Sequence, residues 1–520
     1  MNIQKEIAFS RFITGIFAAY FLAALSLLGL WVLSSGKSLR FFGLYLDLNG
    51  VVFLTLIAAI SNVIVHFSKR YMHLEHGYRR FFLILLLFVT GMTIICIAGD
   101  FLLLFAGWEI VGVSSYLLIA FYWHRPQAVS NADRAYYIYR FCDLGLLGSA
   151  LIAAVIWHDH QIFHQHWQTV PLIEQWALCL VILLPVLGKS AQFPFSYWLP
   201  RAMEGPTPSS AIFYGALSVH AGVFLLLRTY PIWHGTPGFI WVVGGVGLVT
   251  AFIASLSSRV QSNMKGQIGY SSISHVGFML IELALGFPKI ALVHLVFNAC
   301  LRSFQLLISS SIQADHLHTY HALNGKSWQG RNPVSKTLYV FALNEGYLEA
   351  ITLKLVKPFQ FLLNYYGSLN QVVFCELVIA FLFWPFPSWT YILGVLASWL
   401  LAFEGLAYVK KHEKITFGRF PFAASLILLG YLGVLGFPLS VTFIGEDLLT
   451  NQALQRGIWF LILFNLVFVI NGIALIRAYS KMFFGKRDEE PVPQVDLTPW
   501  QASIRLAGYV LVNLILWIIL

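Results

Sequence analysis

Long apolar runs separated by short polar connections dominate the chain from its first residues to its last. A helix needs roughly 20 mainly apolar residues to cross the hydrocarbon core, and by that measure the pattern predicts about fifteen spans. Their centres fall near residues 22, 54, 89, 111, 146, 183, 217, 247, 277, 300, 379, 399, 432, 468 and 512. The N-terminal stretch MNIQKEIAFSRFITGIFAAYF has no small-x-small cleavage site after it and reads as a first membrane helix. The fold class this predicts is an all-α polytopic membrane protein with about 14–15 transmembrane helices.

The longest polar interruption runs over residues 313–367, and its second part, TLYVFALNEGYLEAITLKLVKPFQFLL, spaces apolar and charged residues as a helix lying on the membrane interface would. Placing the N-terminus in the cytoplasm puts Lys69, Arg70, Arg79, Arg80, Arg125, Arg134, Arg201, Arg259, Lys265, Lys326, Arg331, Lys336, Lys410, Lys411, Lys414, Lys486 and Arg487 on the cytoplasmic side. The opposite connections keep only Lys37, Arg40, Arg228, Lys289 and Arg456, which is the positive-inside asymmetry. The expected location is the cell inner membrane, multi-pass.

Composition sharpens this. The chain is 58% hydrophobic and only 11% charged, with mean hydropathy +0.74, against about 25% charged residues in a soluble domain. That excludes a disordered chain and an ordinary soluble enzyme. The net charge of +10 is accounted for by the cytoplasmic connections, so it asks for no nucleic acid. Five cysteines (Cys96, Cys142, Cys179, Cys300, Cys375) are scattered through apolar runs without a CxxC pair and read as packing residues.

Charges inside hydrocarbon are costly and mark water paths or partners. Glu109 sits mid-span in LLLFAGWEIVGVSSYLL, Lys189 in ILLPVLGKSAQFPF, and His220, His275, His294 and Arg302 follow on later spans, with Glu446 and Asp447 near the end. Arg140 and Asp143, three apart on one helix, read as a structural ion pair. Two spans read as broken: one by Pro185, Pro194 and Pro200 around Lys189, one by Gly433, Gly436 and Pro438 before Glu446. A broken helix in each half, each beside an ionisable group, is the pattern of an inverted-repeat transporter. Glu109, Lys189, His220, His294 and Glu446 can pass protons, while Arg302 keeps its charge and can only bias them. The histidine-rich stretches HDHQIFHQHW and DHLHTYH read as solvated loops, and neither a metal site nor a bound cofactor is expected in this chain.

The ordered runs WEIVGVSSYLLIAFYWHR, RFCDLGLLG, GKSAQFPFSYWLPRAMEGPTPSSA, QSNMKGQIGYSSISHVGFM and HLVFNACLRSFQLL resemble the proton-translocating antiporter-like family, which includes the large membrane subunits of respiratory complex I and of Mrp-type cation/proton antiporters. The resemblance implies two inverted five-helix repeats, each with a broken helix. It makes Glu109 and Lys189 a coupled pair, carries a relay through Tyr214, His220, His294 and Arg302, and puts an exit beside Glu446. It divides the chain into N-terminal helices (1–80), a first repeat (81–230), a second repeat (237–312 and 370–480) around the 313–367 insert, and a connector with a last helix (481–520). Departures from the family pattern stand at Tyr214, where a histidine is usual, at the set His294, Asn298 and Arg302, and at Glu446, where lysine is frequent.

NEGYLEA in the insert, and an end at residue 520 without a long lateral helix, make the chain resemble most the membrane subunit of DAB-type inorganic-carbon transporters. That resemblance implies a transporter subunit, not an enzyme, that uses a proton or sodium gradient to drive CO2-to-bicarbonate conversion. The conversion would belong to a large cytoplasmic partner similar to β-carbonic anhydrases, which would hold the zinc. The alternatives are a proton-pumping subunit of a complex I-like or Mrp-type complex and a passive membrane anchor for a partner enzyme.

Overall fold

The computed structural model describes residues 3–33, 38–41, 43–157, 160–162, 169–261, 263–309, 333–354, 389–410, 415–438, 440–485 and 496–519. Among these, twelve helices are long and apolar enough to cross a membrane. The span expected near residue 379, the DHLHTYH stretch and Cys375 lie outside the described residues.

Chain contacts divide the molecule into two compact units, residues 1–121 with 142–355, and residues 122–141 with 356–520. This partition differs from the one expected from sequence, since the long helix α5 contributes its first half to one unit and its second half to the other.

The first unit opens with α1 (Ile3–Leu33), α2 (Leu48–Tyr71), α3 (Tyr78–Ile97), α4 (Phe101–Ile119) and the later part of α5 (Pro126–Trp157). It is not purely helical: β1 (Leu39–Phe41) and β2 (Leu44–Leu46) pair antiparallel in a short hairpin before α2. Arg228 ties that hairpin down. It was expected in a solvent-facing connection, yet its side chain is fully buried and bonds Asp47 at 2.5 Å. Its other nitrogen donates to the carbonyls of Tyr45, Cys96 and Ala98 at 2.8–2.9 Å. These carbonyls lie at the hairpin and the end of α3, where helical bonding has run out and another donor is needed. Beside them Asp100 caps α4 by accepting from the Leu103 amide at 2.7 Å. Burial pushes its carboxyl above the ordinary carboxylate value. The described part of the first histidine-rich stretch is structural, since the Phe101 amide bonds the His160 carbonyl and the Ile162 amide that of Gly99.

Three helices then break. α6 (Leu172–Lys189) carries Pro185 inside it and ends at Lys189. Ala191 takes a left-handed backbone, φ 51°, before the single turn α7 (Trp198–Arg201). The next span, α8 (Thr207–Ser210), a π-helix (Ala211–Ala216) and α9 (Ala221–Arg228), breaks where no proline announces it. A short α10 (Tyr230–Gly235) leads to α11 (Phe239–Val260), α12 (Met264–Ala284) and α13 (Pro288–Ile308). In the insert, the expected single interfacial helix is interrupted. α14 (Pro333–Leu343) stops at a 3-10 turn, Glu345–Tyr347, where three successive residues are left-handed (φ 56°, 66°, 59°). Ser257 on α11 holds the end of α14 through the Ala342 carbonyl.

The second unit contains the first part of α5, then α15 (Trp389–Val409), α16 (Pro421–Val434), α17 (Val441–Arg456), α18 (Ile458–Phe483) and α19 (Pro499–Ile519). The break expected before Glu446 is the α16–α17 junction. Gly436 there has φ 60°, and Asn513 on α19 caps the start of α17 by accepting from the Val441 amide at 2.9 Å.

Candidate functional site

Lys189, fully buried at the end of α6, is the centre of the first cluster. Its Nζ donates to the carbonyl of Trp108 at 3.2 Å, one residue before Glu109 on α4, and lies 5.6 Å from the Trp108 ring centroid. Two buried carboxylates, Asp143 and Glu109, act on it electrostatically. Asp143 is fixed by the Trp108 indole, whose Nε1 donates to it at 2.8 Å. Close packing allows this, because a Cβ on Gly145 would collide with the Val181 carbonyl and Pro185, so α5 and α6 meet backbone to backbone there. The buried ammonium thus sits with two buried acids in place of the single partner expected.

Asp143 belongs to this cluster in the first unit, while Arg140 belongs to the second. Each of the two also has partners of its own within its unit. Arg140 donates to the Leu435 carbonyl at 3.4 Å and stacks 3.7 Å from the Phe468 ring centroid.

The break in the next span places His220. The amides of Leu217 and Ser218 bond back to Ile212 and Phe213, five residues away. His220 Nδ1 then takes up the Ala216 carbonyl at 2.6 Å. With Nδ1 donating, Nε2 is the acceptor and receives the Asn298 side-chain amide at 3.0 Å. Asn298 Oδ1 in turn accepts from Arg302 Nε at 3.2 Å, and Arg302 reaches Gln305 and Ser271, each at 2.7 Å. His220, Asn298 and Arg302 are therefore one hydrogen-bonded network. Tyr214 is not joined to it; its hydroxyl is buried without a hydrogen bond, with the ring edge-on to Trp198 at 5.9 Å.

His294 bonds elsewhere. Its Nδ1 lies 2.8 Å from Glu282 Oε1 and its Nε2 3.0 Å from His275 Nδ1. Glu282 is the residue that sequence reasoning missed. It stands near the end of α12 in an otherwise apolar run, and its spacing of seven from His275, two helical turns on one face, is the signal that was available.

In the second unit Glu446 lines a small cavity with Tyr391, Leu435, Phe468 and Asn471. Leu435 and Phe468 are also the residues that hold Arg140. No group of three or more metal-ligating side chains occurs among the described residues.

Two sequence families match the chain: one described as NADH:quinone oxidoreductase/Mrp antiporter, TM, over residues 98–346, the other as NADH-ubiquinone oxidoreductase (complex I), chain 5 N-terminus, over residues 31–82. NADH-quinone oxidoreductase subunit L of Buchnera aphidicola (Schizaphis graminum) is 35% identical over 279 residues, 52% of this chain and 45% of that protein. NAD(P)H-quinone oxidoreductase subunit 5 of the Paulinella chromatophora chromatophore is 33% identical over 287 residues, 52% of this chain and 42% of that one. The chain therefore spans less than half the length of these relatives. The Mrp complex from Dietzia sp. DQ12-45-1b shares the fold, with TM-score 0.51 and 20% identity over 99% of this chain and 50% of that one. Over residues 31–82 and 98–346, then, the chain is similar to the membrane subunits of NADH:quinone oxidoreductases and Mrp antiporters.

Proposed function

We propose that the chain is a proton- or sodium-translocating membrane subunit that works inside a multisubunit complex of the complex I or Mrp type, in the cell inner membrane with its N-terminus cytoplasmic. The observation that carries this is Lys189: a fully buried ammonium at a helix break, flanked by the carboxylates of Asp143 and Glu109. A charge so placed is strongly destabilised if one acid is neutralised, so protonating Glu109 drives Lys189 toward Asp143 or toward losing its own proton. Backbone groups at the break after Lys189 are taken up by protein, the Phe193 amide by Thr250 and the Gly188 carbonyl by the Trp198 indole, which holds the ammonium in a fixed place. The His220–Asn298–Arg302 network extends the polar path, with Arg302 as a fixed charge. Glu446, with Arg140 nearby, supplies the titratable group of the second unit. A helix break beside an ionisable group in each unit supports two inverted repeats.

The test is ion flux into proteoliposomes carrying the full chain. Glu109→Gln and Lys189→Ala are expected to lower proton uptake about a hundredfold, the usual worth of a positioned proton-transfer group. Undiminished flux in both refutes the relay through Glu109 and Lys189, and absence of flux in the wild-type protein would favour a passive anchor.

A finer reading joins this flux to CO2-to-bicarbonate conversion by a zinc-bearing, β-carbonic-anhydrase-like partner. Its support is the NEGYLEA resemblance together with the way the insert is held. Glu345 and Glu349 both clamp Arg201, at 3.0 and 2.5 Å, beside the broken span, and so give a partner bound to the insert a mechanical link to it. Rescue of a carbonic-anhydrase-deficient host in ambient air by the chain with its partner tests it; sodium resistance conferred on a sensitive host without rescue favours the Mrp-type reading.

A further inference from the structure

Helices α12 and α13 share a second polar seam that the proposed path does not use. Glu282 and His275 lie on α12, and His294 faces both from α13. Glu282 and His294 are each about a quarter exposed, with side-chain values of 25% and 23%, so this end of the seam opens at the protein surface. Glu282 Oε2 takes no hydrogen bond from the protein.

With Glu282 ionised and both rings neutral, the two contacts allow one placement of the hydrogens. An ionised Glu282 only accepts, so the 2.8 Å contact requires Nδ1–H on His294. A neutral ring then has a bare Nε2, and the 3.0 Å contact to His275 requires Nδ1–H on that ring. Both donors point toward Glu282, and His275 Nε2 is the open acceptor at the far end.

We propose that His275, His294 and Glu282 form a proton wire that discharges at Glu282, giving the first unit a proton port at the α12–α13 seam. A proton taken up at His275 Nε2 makes an imidazolium. Its Nδ1–H bond breaks as one forms at His294 Nε2; the His294 Nδ1–H bond breaks as one forms at Glu282 Oε1. One proton has moved the length of the wire, His275 and His294 are neutral again with hydrogen on Nε2, and Glu282 is a carboxylic acid that releases its proton to water. The fixed charge of Arg302 acts on His275 and repels a second positive charge there, while the carboxylate attracts it, so the field runs toward Glu282. Ser271 and His275 are one turn apart on α12, as are His294 and Asn298 on α13, so the wire begins alongside the His220–Asn298–Arg302 network.

This inference rests on the chain being a cation translocator, and the experiment separates the two. Full-length protein is reconstituted with a trapped pH dye and driven by a potassium diffusion potential. Glu282→Gln keeps an oxygen for His294 and removes the acid; flux is expected to fall about a hundredfold, with Glu282→Asp restoring part of it. In 15N-histidine solid-state spectra the wild-type His294 is expected to show hydrogen on Nδ1 and a bare Nε2. Wild-type flux in Glu282→Gln while Glu109→Gln loses its flux overturns the wire and leaves translocation through the Lys189 cluster standing. Absence of flux in the wild-type protein overturns both. Should the Glu282 variants fold poorly, a wild-type His294 with hydrogen on Nε2 alone overturns the wire by itself.

Discussion

Four oxygens depend on one guanidinium at Arg228: the Asp47 carboxylate and the carbonyls of Tyr45, Cys96 and Ala98. Removing one member of a buried pair strands the other, at about 3–5 kcal/mol. Arg228→Ala is therefore expected to lower the melting temperature in detergent sharply, and Arg228→Lys to recover only part, since an ammonium cannot span four acceptors in a planar fork. An unchanged melting temperature for Arg228→Ala would show that the hairpin contributes nothing to the first unit. The same logic separates the site residues that sequence could find from those it could not. Glu109, Lys189 and Glu446 stand out because a charge in an apolar run has no cheap explanation. Asp143 was visible only as a neighbour of Arg140 three residues away on its own helix; its bond to Trp108 and its place beside Lys189 come from tertiary packing. Glu282 sits near a helix end, where a carboxylate looks solvated; only its bond to His294 across two helices reveals it.

At the level of helices, breaks written in proline and glycine were legible and the others were not. Pro185 and Gly436 mark two of them because no ordinary residue leaves the helix so readily. The π-helix over Ala211–Ala216 is stabilised by His220 bonding a main-chain carbonyl, a tertiary choice with no compositional mark. The left-handed run at Glu345–Tyr347 is likewise held from outside, by Arg201. Gly436 offers the cleaner test. Its φ of 60° disfavours a side chain, and a Cβ there would strike the Glu446 carboxylate. Gly436→Ala is expected to cost about 1–3 kcal/mol and to displace Glu446, lowering flux with it. Gly508→Ala in α19, where a Cβ meets nothing, is the control; it is expected to be neutral or to stabilise by up to about 1 kcal/mol. Equal melting temperatures for the two would sink the account of the junction.

Over the whole molecule, hydrophobic periodicity located the spans well because lipid leaves a chain little choice but helix, whereas the hairpin, three residues to a strand, fell below what a span-length pattern can register. The helices themselves fit a bilayer. Trp500 and Trp517, both exposed near opposite ends of α19, are about 25 Å apart at 1.5 Å per residue, the reach of an aromatic belt across the hydrocarbon. Which end faces the cytoplasm is decided by lysine and arginine placement alone, and that can be measured. Arg40 and Arg70 flank α2, while Lys289 and Lys336 are separated by most of α13; all four side chains are exposed. In a cysteine-free background, Arg40→Cys and Lys289→Cys are expected to react with an impermeant maleimide on intact cells, and Arg70→Cys and Lys336→Cys only in inverted vesicles. Removing the native thiols matters because Cys300 is itself exposed. The reverse pattern would turn the molecule over, and with it the side of the membrane on which Glu282 and the insert lie. A pair labelled from one side would instead mean that α2 or α13 does not cross, which their buried faces and apolar lengths make the costlier arrangement.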